Sequence, residues 1–228
     1  MFILAEDFYS IQGEGPCAGV PAVFLRLAGC NLDCVGFGCD TKTLWQKGEQ
    51  VSFDQLLNKW QKNSWLDKLK NGAHLVITGG EPLLQQDALI DFMGLLAKPY
   101  TEIETNATIL IKPTLLSYIN QINASPKLTS SGNVGEKAYQ PEVLTQLAHL
   151  KETKFKFVVT KESDIDEIIS QYIVPFTIKQ ANVWLMPEGK TEMEINKRAS
   201  MVAELCKKHM LQFSPRLQIN IWGGKSGV

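Results

Sequence analysis

The amino-acid sequence predicts an α/β fold with mostly parallel strands, and three observations carry the prediction. Short apolar segments alternate with amphipathic helical ones along the 228 residues, the order that βαβ units produce. No internal repeat or low-complexity linker interrupts them, so residues 1–228 read as a single domain, long enough to bury a substantial core. The reactive-looking stretches follow directly on apolar runs: "CNLDCVGFGCDT" (30–41) follows one and "GGEP" (79–82) the next. Loops at the C-terminal ends of parallel strands form the active face of such folds. An open barrel, a closed barrel and a doubly wound sheet all accommodate this order.

Taken in order, "PAVFLRLAG" (21–29) reads as a buried strand running into Cys30. "VSFDQLLNKW" (51–60) is helical, with Phe53, Leu56, Leu57 and Trp60 on one face and Ser52 and Gln55 at capping-box spacing. "AHLVIT" (73–78) is a strand stopped by Gly79-Gly80. Helices are expected near 87–97 and 113–120, with strands at "TEIET" (101–105) and "INAS" (122–125). A helix over 141–150 leads to the strand "KFKFVVT" (154–160), in which Phe155, Phe157 and Val159 alternate. Residues 162–171 read as helix, "NVWLMP" (182–187) as strand and 191–210 as a long helix. "RLQINIW" (216–222) is expected to close the chain as a strand, because Leu217, Ile219 and Ile221 alternate.

Bulk properties narrow the function. The chain is 44% hydrophobic and 21% charged with a net charge of −1, which offers no basic face for direct nucleic-acid binding. "MFILAEDFYS" lacks a basic leader and turns acidic at Glu6 and Asp7, so it is not read as a signal peptide. No apolar run approaches the roughly 20 residues that span a bilayer. A cytoplasmic protein is expected, where thiols stay reduced and clustered cysteines hold metal or do redox chemistry.

Cys30, Cys34 and Cys39 are spaced C-x3-C and C-x4-C, so they can converge only on something small. Tetrahedral zinc wants four ligands, commonly in two pairs, and no convincing fourth is present. His74, His149 and His209 are scattered and read as surface or packing residues. Cys206 shares a helical face with Ile195, Ala199 and Val202 and reads as core. Cys17, after Pro16 in a glycine-flanked loop, reads as a bystander, with a fourth-ligand role open. Three thiolates suit a [4Fe–4S] cube with one iron left for another ligand. A degenerate zinc loop stays open as the alternative.

A three-cysteine loop followed by Gly-Gly-Glu-Pro after the next strand resembles the radical S-adenosylmethionine enzymes. The resemblance implies that the open iron chelates the amine and carboxylate of the cofactor's methionine. It also implies that "TGGEP" (78–82) contacts the amine, with Glu81 an acceptor for the ammonium. A closer resemblance covers nearly the whole chain. "YSIQGEGPCAGVPAVFLRLAGCNLDC" (9–34), "CDT" (39–41), "IETN" (103–106), "SPK" (125–127) and "SPRLQINIWGGKSGV" (214–228) are similar to the 7-carboxy-7-deazaguanine synthases. That family implies a partial, incomplete β/α barrel. It also implies a ring contraction of 6-carboxy-5,6,7,8-tetrahydropterin to 7-carboxy-7-deazaguanine with loss of ammonia, in 7-deazaguanine (queuosine-type) biosynthesis. The chemistry would be carried by cluster and cofactor rather than by a catalytic side chain.

Carried over by position, Ile11, Gln12, Gly13 and Thr78 would meet the pterin and Arg26 its carboxylate, which a guanidinium fork matches at two points. Thr41 matches the magnesium ligand of the family; one hydroxyl is a weak ligand, so substrate oxygens and water would complete the shell. Gly38, Cys39, Asp40, Gly80 and Glu81 match cofactor contacts, as do Ser125, Pro126, Lys127, Met186, Pro187, Glu188 and Gly189. The resemblance further implies a homodimer and an external electron donor such as a flavodoxin. The sequence departs from the common pattern at the four-residue gap before Cys39, and in having "LMP" (185–187) where "LQP" is usual. A glycyl-radical activating enzyme, which shares the cysteine loop and "GGEP", and a non-catalytic zinc-binding domain are the competing readings.

Overall fold

In chain order the elements are β1 (Phe2–Ile11), β2 (Pro21–Leu27), α1 (Lys42–Trp45), β3 (Glu49–Val51), α2 (Phe53–Lys62) and α3 (Trp65–Lys70). There follow β4 (His74–Gly79), α4 (Gln86–Met93), β5 (Thr101–Thr105), α5 (Pro113–Leu116), β6 (Gln121–Ala124) and α6 (Pro141–His149). β7 (Thr153–Val159), α7 (Asp164–Glu167), β8 (Val183–Pro187), α8 (Glu192–His209), β9 (Gln212–Phe213) and α9 (Leu217–Trp222) complete the chain. This computed structural model describes residues 1–36, 39, 41–133, 135–223, 225 and 227.

The strands form one sheet in the order β3-β1-β2-β4-β5-β6-β7-β8-β9. β1 runs antiparallel to β2 and β3, and every pair from β2–β4 to β8–β9 is parallel. With β3 and β9 as its two edges, the sheet stays open, a partial barrel rather than a closed one.

Alternation along the strands separates two faces. One carries Leu25, Leu75, Ile77, Ile103, Ile122, Phe157 and Leu185, all fully buried. The helices close over it: Leu56 and Trp60 of α2, Leu89 and Phe92 of α4, Leu144 and Leu147 of α6 and Val202 of α8 share its core. Each such side chain contributes about 1.5–3 kcal/mol by leaving water. The other face is polar at mid-strand, with Arg26, Thr78, Glu102, Glu104, Asn123 and Lys156. Buried polar groups in strand centres need partners, and here they also mark the working face.

The α2 capping box forms as its spacing predicts, Gln55 N donating to Ser52 Oγ (3.2 Å) and Ser52 N to Gln55 Oε1 (2.9 Å). Residues 216–222 correct the expectation of a last strand: Arg216 caps helix α9, which takes up Leu217–Trp222. Leu217 N bonds Gly13 O (2.9 Å), and Asn220 N bonds Arg216 O (3.2 Å), turning the chain back across the polar face. The edge of β8 is already taken by β9, so no ladder is open to them. Alternation over six residues fits a short helix with one buried side, and here Ile219 is buried while Ile221 is exposed.

Candidate active site

The polar face lines a cavity of about 680 Å³ that opens at the C-terminal ends of the parallel strands. β2 delivers the cysteine loop there, and β4 delivers Gly79-Gly80 beside it. The two loops are stitched together, Gly80 N to Leu27 O (3.4 Å) and Glu81 N to Gly29 O (2.9 Å). A Cβ at Gly80 would lie 2.3 Å from Gly29 O and 2.6 Å from the Cys30 Cβ. A glycine stands at position 80 because the cysteine loop presses on it. Gly36 does the same on the other side, where a Cβ would fall 2.2 Å from Ser130 O.

Cys30, Cys34 and Cys39 all reach the cavity wall, and none is in a disulfide. Cys30 Sγ accepts from Leu32 N (3.5 Å), Cys34 Sγ accepts from Asn133 Nδ2 (3.3 Å), and Cys39 Sγ lies 3.5 Å from Thr41 Oγ1. Burial pushes the Cys30 and Cys34 thiols up, and the nearby Lys127 ammonium pulls them down. Zinc thiolates sit about 3.8 Å apart, from a tetrahedron of 2.3 Å bonds. Among the described residues these three sulfurs do not form a group within 4.8 Å of one another. Cys206 lies in the core with its thiol donating to Gln212 O (3.3 Å), as the helical pattern predicted.

Glu81 requires a correction. It is fully buried and absent from the cavity wall. Its carboxylate accepts from Leu83 N (3.0 Å), Thr105 Oγ1 (3.0 Å) and Asn106 N (2.7 Å). Burial pushes its pKa up to about 7 despite those donors. Glu81 therefore braces the site: Asn106 in turn donates to Asn31 Oδ1 (2.8 Å) inside the cysteine loop. No ammonium can reach the carboxylate as it stands.

Among the expected cofactor contacts, Gly80, Ser125, Lys127, Met186 and Glu188 line the cavity. Lys127 Nζ is held by Ser125 O and Oγ, both at 3.0 Å. Pro126, Pro187 and Gly189 are buried behind the wall, and Gly189 O accepts from Arg216 Nη1. Gly38 and Asp40 lie outside the described residues.

The expected substrate contacts Ile11, Gln12, Gly13, Arg26 and Thr78 all line the same cavity. Arg26 Nε pairs with Glu6 Oε1 at 2.9 Å. Gln12 Nε2 donates to Glu104 Oε1 (3.2 Å), and Thr78 Oγ1 donates to Glu104 Oε2 (2.8 Å). Thr41 also faces in; it precedes α1, yet its hydroxyl does not cap that helix.

Sequence reasoning missed a second group on this wall. Glu14 accepts from Arg216 Nε (3.0 Å), Gln218 Nε2 (2.8 Å) and Lys156 Nζ. Burial alone would raise the Glu14 carboxyl, but Lys156 and Arg216 hold it well below the usual carboxylate range. Burial opposes the Lys156 charge, and Glu14 and Glu104 more than restore it, leaving its pKa above the ordinary value. This network ties α9 across the mouth. Gln218 Oε1 is buried on the wall with no partner among the described residues. His74 lies at the far end of the strands, its Nδ1 2.7 Å from Glu102 Oε1.

Comparison with known proteins agrees with this geometry. Residues 11–111 match the family described as a 4Fe-4S single cluster domain. The 7-carboxy-7-deazaguanine synthase of Halobacterium salinarum is 36% identical, over 95% of this chain and 89% of that protein. That of Pyrobaculum aerophilum is 32% identical over 97% and 95%. The crystal structure of QueE from Escherichia coli superposes with a TM-score of 0.70 at 25% identity, covering 93% of this chain and 92% of that one.

Proposed function

The chain belongs to the 7-carboxy-7-deazaguanine synthase family, and from that membership we propose how its own residues divide the work. It is a radical S-adenosylmethionine enzyme that converts 6-carboxy-5,6,7,8-tetrahydropterin to 7-carboxy-7-deazaguanine, with loss of ammonia, in queuosine-type biosynthesis. The observation that carries the reading is the shared wall: three cysteines, Gly80 and a polar strand face surround one cavity.

Cys30, Cys34 and Cys39 hold the cluster, and Gly80, Ser125, Lys127, Met186 and Glu188 position S-adenosylmethionine beside it. When bound, cluster and cofactor supply the one-electron reduction and hydrogen abstraction that start the ring contraction. The protein orients, shields and neutralises. Arg26, drawn by its pairing with Glu6 to the cavity's edge, receives the substrate carboxylate. Gln12, Thr78 and Glu104 form a connected donor–acceptor floor under the pterin, and Gln218 Oε1, which has no partner among the described residues, accepts from one of its N–H groups. A buried polar atom left without a partner costs about 1–3 kcal/mol, so the ligand that satisfies it is selected. The tether to Glu14 holds α9 across the mouth. A homodimer, an external electron donor such as a flavodoxin, a single domain and a cytoplasmic setting complete the proposal. Among the described residues, no helix is long and apolar enough to cross a membrane.

Thr41 is proposed as a magnesium ligand, its hydroxyl facing the cavity and free of helix capping. Magnesium demands six oxygens near 2.1 Å, so substrate oxygens and water must complete the shell. A magnesium titration of product formation tests it. Thr41→Ala should leave iron content and cofactor cleavage intact while blunting the response, and Thr41→Ser should retain most of it. An unchanged response in Thr41→Ala removes the residue from the site.

A further inference from the structure

We infer that Cys17, His74 and Glu102 form a second metal site, for a divalent ion of the zinc class, at the end of the half-barrel opposite the cysteine loop. One ligand atom from each lies within 4.8 Å of the other two, the one such group of three or more among the described residues. Three separate segments bring them together. Cys17 ends the short turn Gly15–Cys17 between β1 and β2, His74 begins β4, and Glu102 is the second residue of β5.

The donor set is a thiol, an imidazole and a carboxylate. That mixture of sulfur, nitrogen and oxygen suits zinc and its neighbours and does not suit magnesium or calcium. A thiolate and a carboxylate would balance the ion's two charges, which matters because Glu102 is fully buried. The carboxylate is also oriented. Its Oε2 accepts amide donors from Asn123 (2.9 Å), Gln121 (3.2 Å) and Gln12 (3.5 Å), while Oε1 faces His74. Outer hydrogen bonds of this kind fix metal-bound carboxylates. The His74 ring is set by stacking on Tyr100, centroids 4.1 Å apart. A plain His74–Glu102 ion pair would explain one of these contacts; the Cys17 thiol, which donates to Gln121 Oε1 (3.6 Å), is brought within reach of both other groups as well. Burial, with the Glu102 carboxylate beside it, pushes the Cys17 thiol up to about 11, so binding must displace that proton. Cys17 and His74 are both partly exposed, leaving room for a water as fourth ligand. The ion would strap the β1–β2 turn to the sheet directly beneath Gln12.

The test uses the anaerobic holoenzyme with its cluster in place, exposed to zinc chloride and then exchanged into metal-free buffer. The expected result is about one zinc per chain beyond the cluster iron, with a zinc-edge absorption spectrum showing about one sulfur among lighter scatterers. Cys17→Ala and His74→Ala should each weaken zinc retention by about 10- to 100-fold or more with iron content unchanged. Should a variant fold poorly, the wild-type spectrum still decides. No retained zinc, an all-sulfur zinc shell, or equal retention in Cys17→Ala overturns the site. Iron content reads the catalytic proposal separately.

Discussion

Arg26 and Glu81 show how far a side chain's role follows from its partners. Arg26 already pairs with Glu6 through Nε at 2.9 Å, so its fork is held in plane before any ligand arrives. Arg26→Lys should raise the Michaelis constant for the pterin ten- to hundredfold, since a charge-assisted bond is worth about 1.5–3 kcal/mol and an ammonium cannot match the fork. The constant for the cofactor should hardly move; a change confined to the cofactor would place Arg26 with the other ligand. Glu81 is the opposite case, a charge-bearing residue turned inward. Its folded pKa is raised from 4.5 to about 7, so the folded state binds the proton more tightly than the unfolded one. That contribution to stability is complete below the unfolded value and is lost as pH rises through about 7. Going from pH ~6 to ~8 should therefore lower wild-type stability by about 1 kcal/mol more than that of Glu81→Gln. Anaerobic urea unfolding at both pH values checks it, and parallel pH dependence in the two proteins would mean that Glu81 stays ionised throughout.

At the scale of elements, the active face depends on how tightly two loops meet. Gly80→Ala puts a Cβ 2.3 Å from Gly29 O, a backbone atom with nowhere easy to go. Overpacking of that kind costs about 1–3 kcal/mol, and its effect should fall on the cysteine loop. Iron content after reconstitution should drop toward that of Cys30→Ala, whereas Cys206→Ala should bind iron normally; full iron in Gly80→Ala would show that the loops can separate without loss. Both loops were legible in the sequence because each is contiguous and follows an apolar strand. The parallel strands were legible for the same reason, their buried alternation being local. β1 was not, because FILAEDFYSI mixes charged and apolar residues on a strand that is only partly covered along most of its length. α9 was misread because Leu-x-Ile-x-Ile suits either a strand or a one-sided helix, and only contacts with Gly13 and Arg216 decide between them. The Glu14–Lys156–Arg216–Gln218 network was invisible for a deeper reason: its members come from three segments as much as 204 residues apart. The available hints were Glu102 and Glu104 set two apart in a strand, and Lys156 between the apolar residues of "KFKFVVT".

The whole molecule is an open, mostly parallel sheet with helices packed on its apolar face and a polar face left to hold ligands. Closing the barrel would leave little room there, whereas the open edge and the tethered α9 give a mouth that a small acid can enter. A net charge of −1 adds little long-range attraction, so recognition must come from inside the cavity. The central claim is that this one cavity joins a three-thiolate cluster to pterin chemistry. It is tested most directly by anaerobic reconstitution with iron and sulfide, followed by incubation with S-adenosylmethionine, a reductant and 6-carboxy-5,6,7,8-tetrahydropterin, with metal and product counted per chain. The account predicts about four irons on the three cysteines, and 7-carboxy-7-deazaguanine and ammonia formed in equal amounts. A protein that holds four irons and cleaves the cofactor but leaves the pterin unchanged would contradict it.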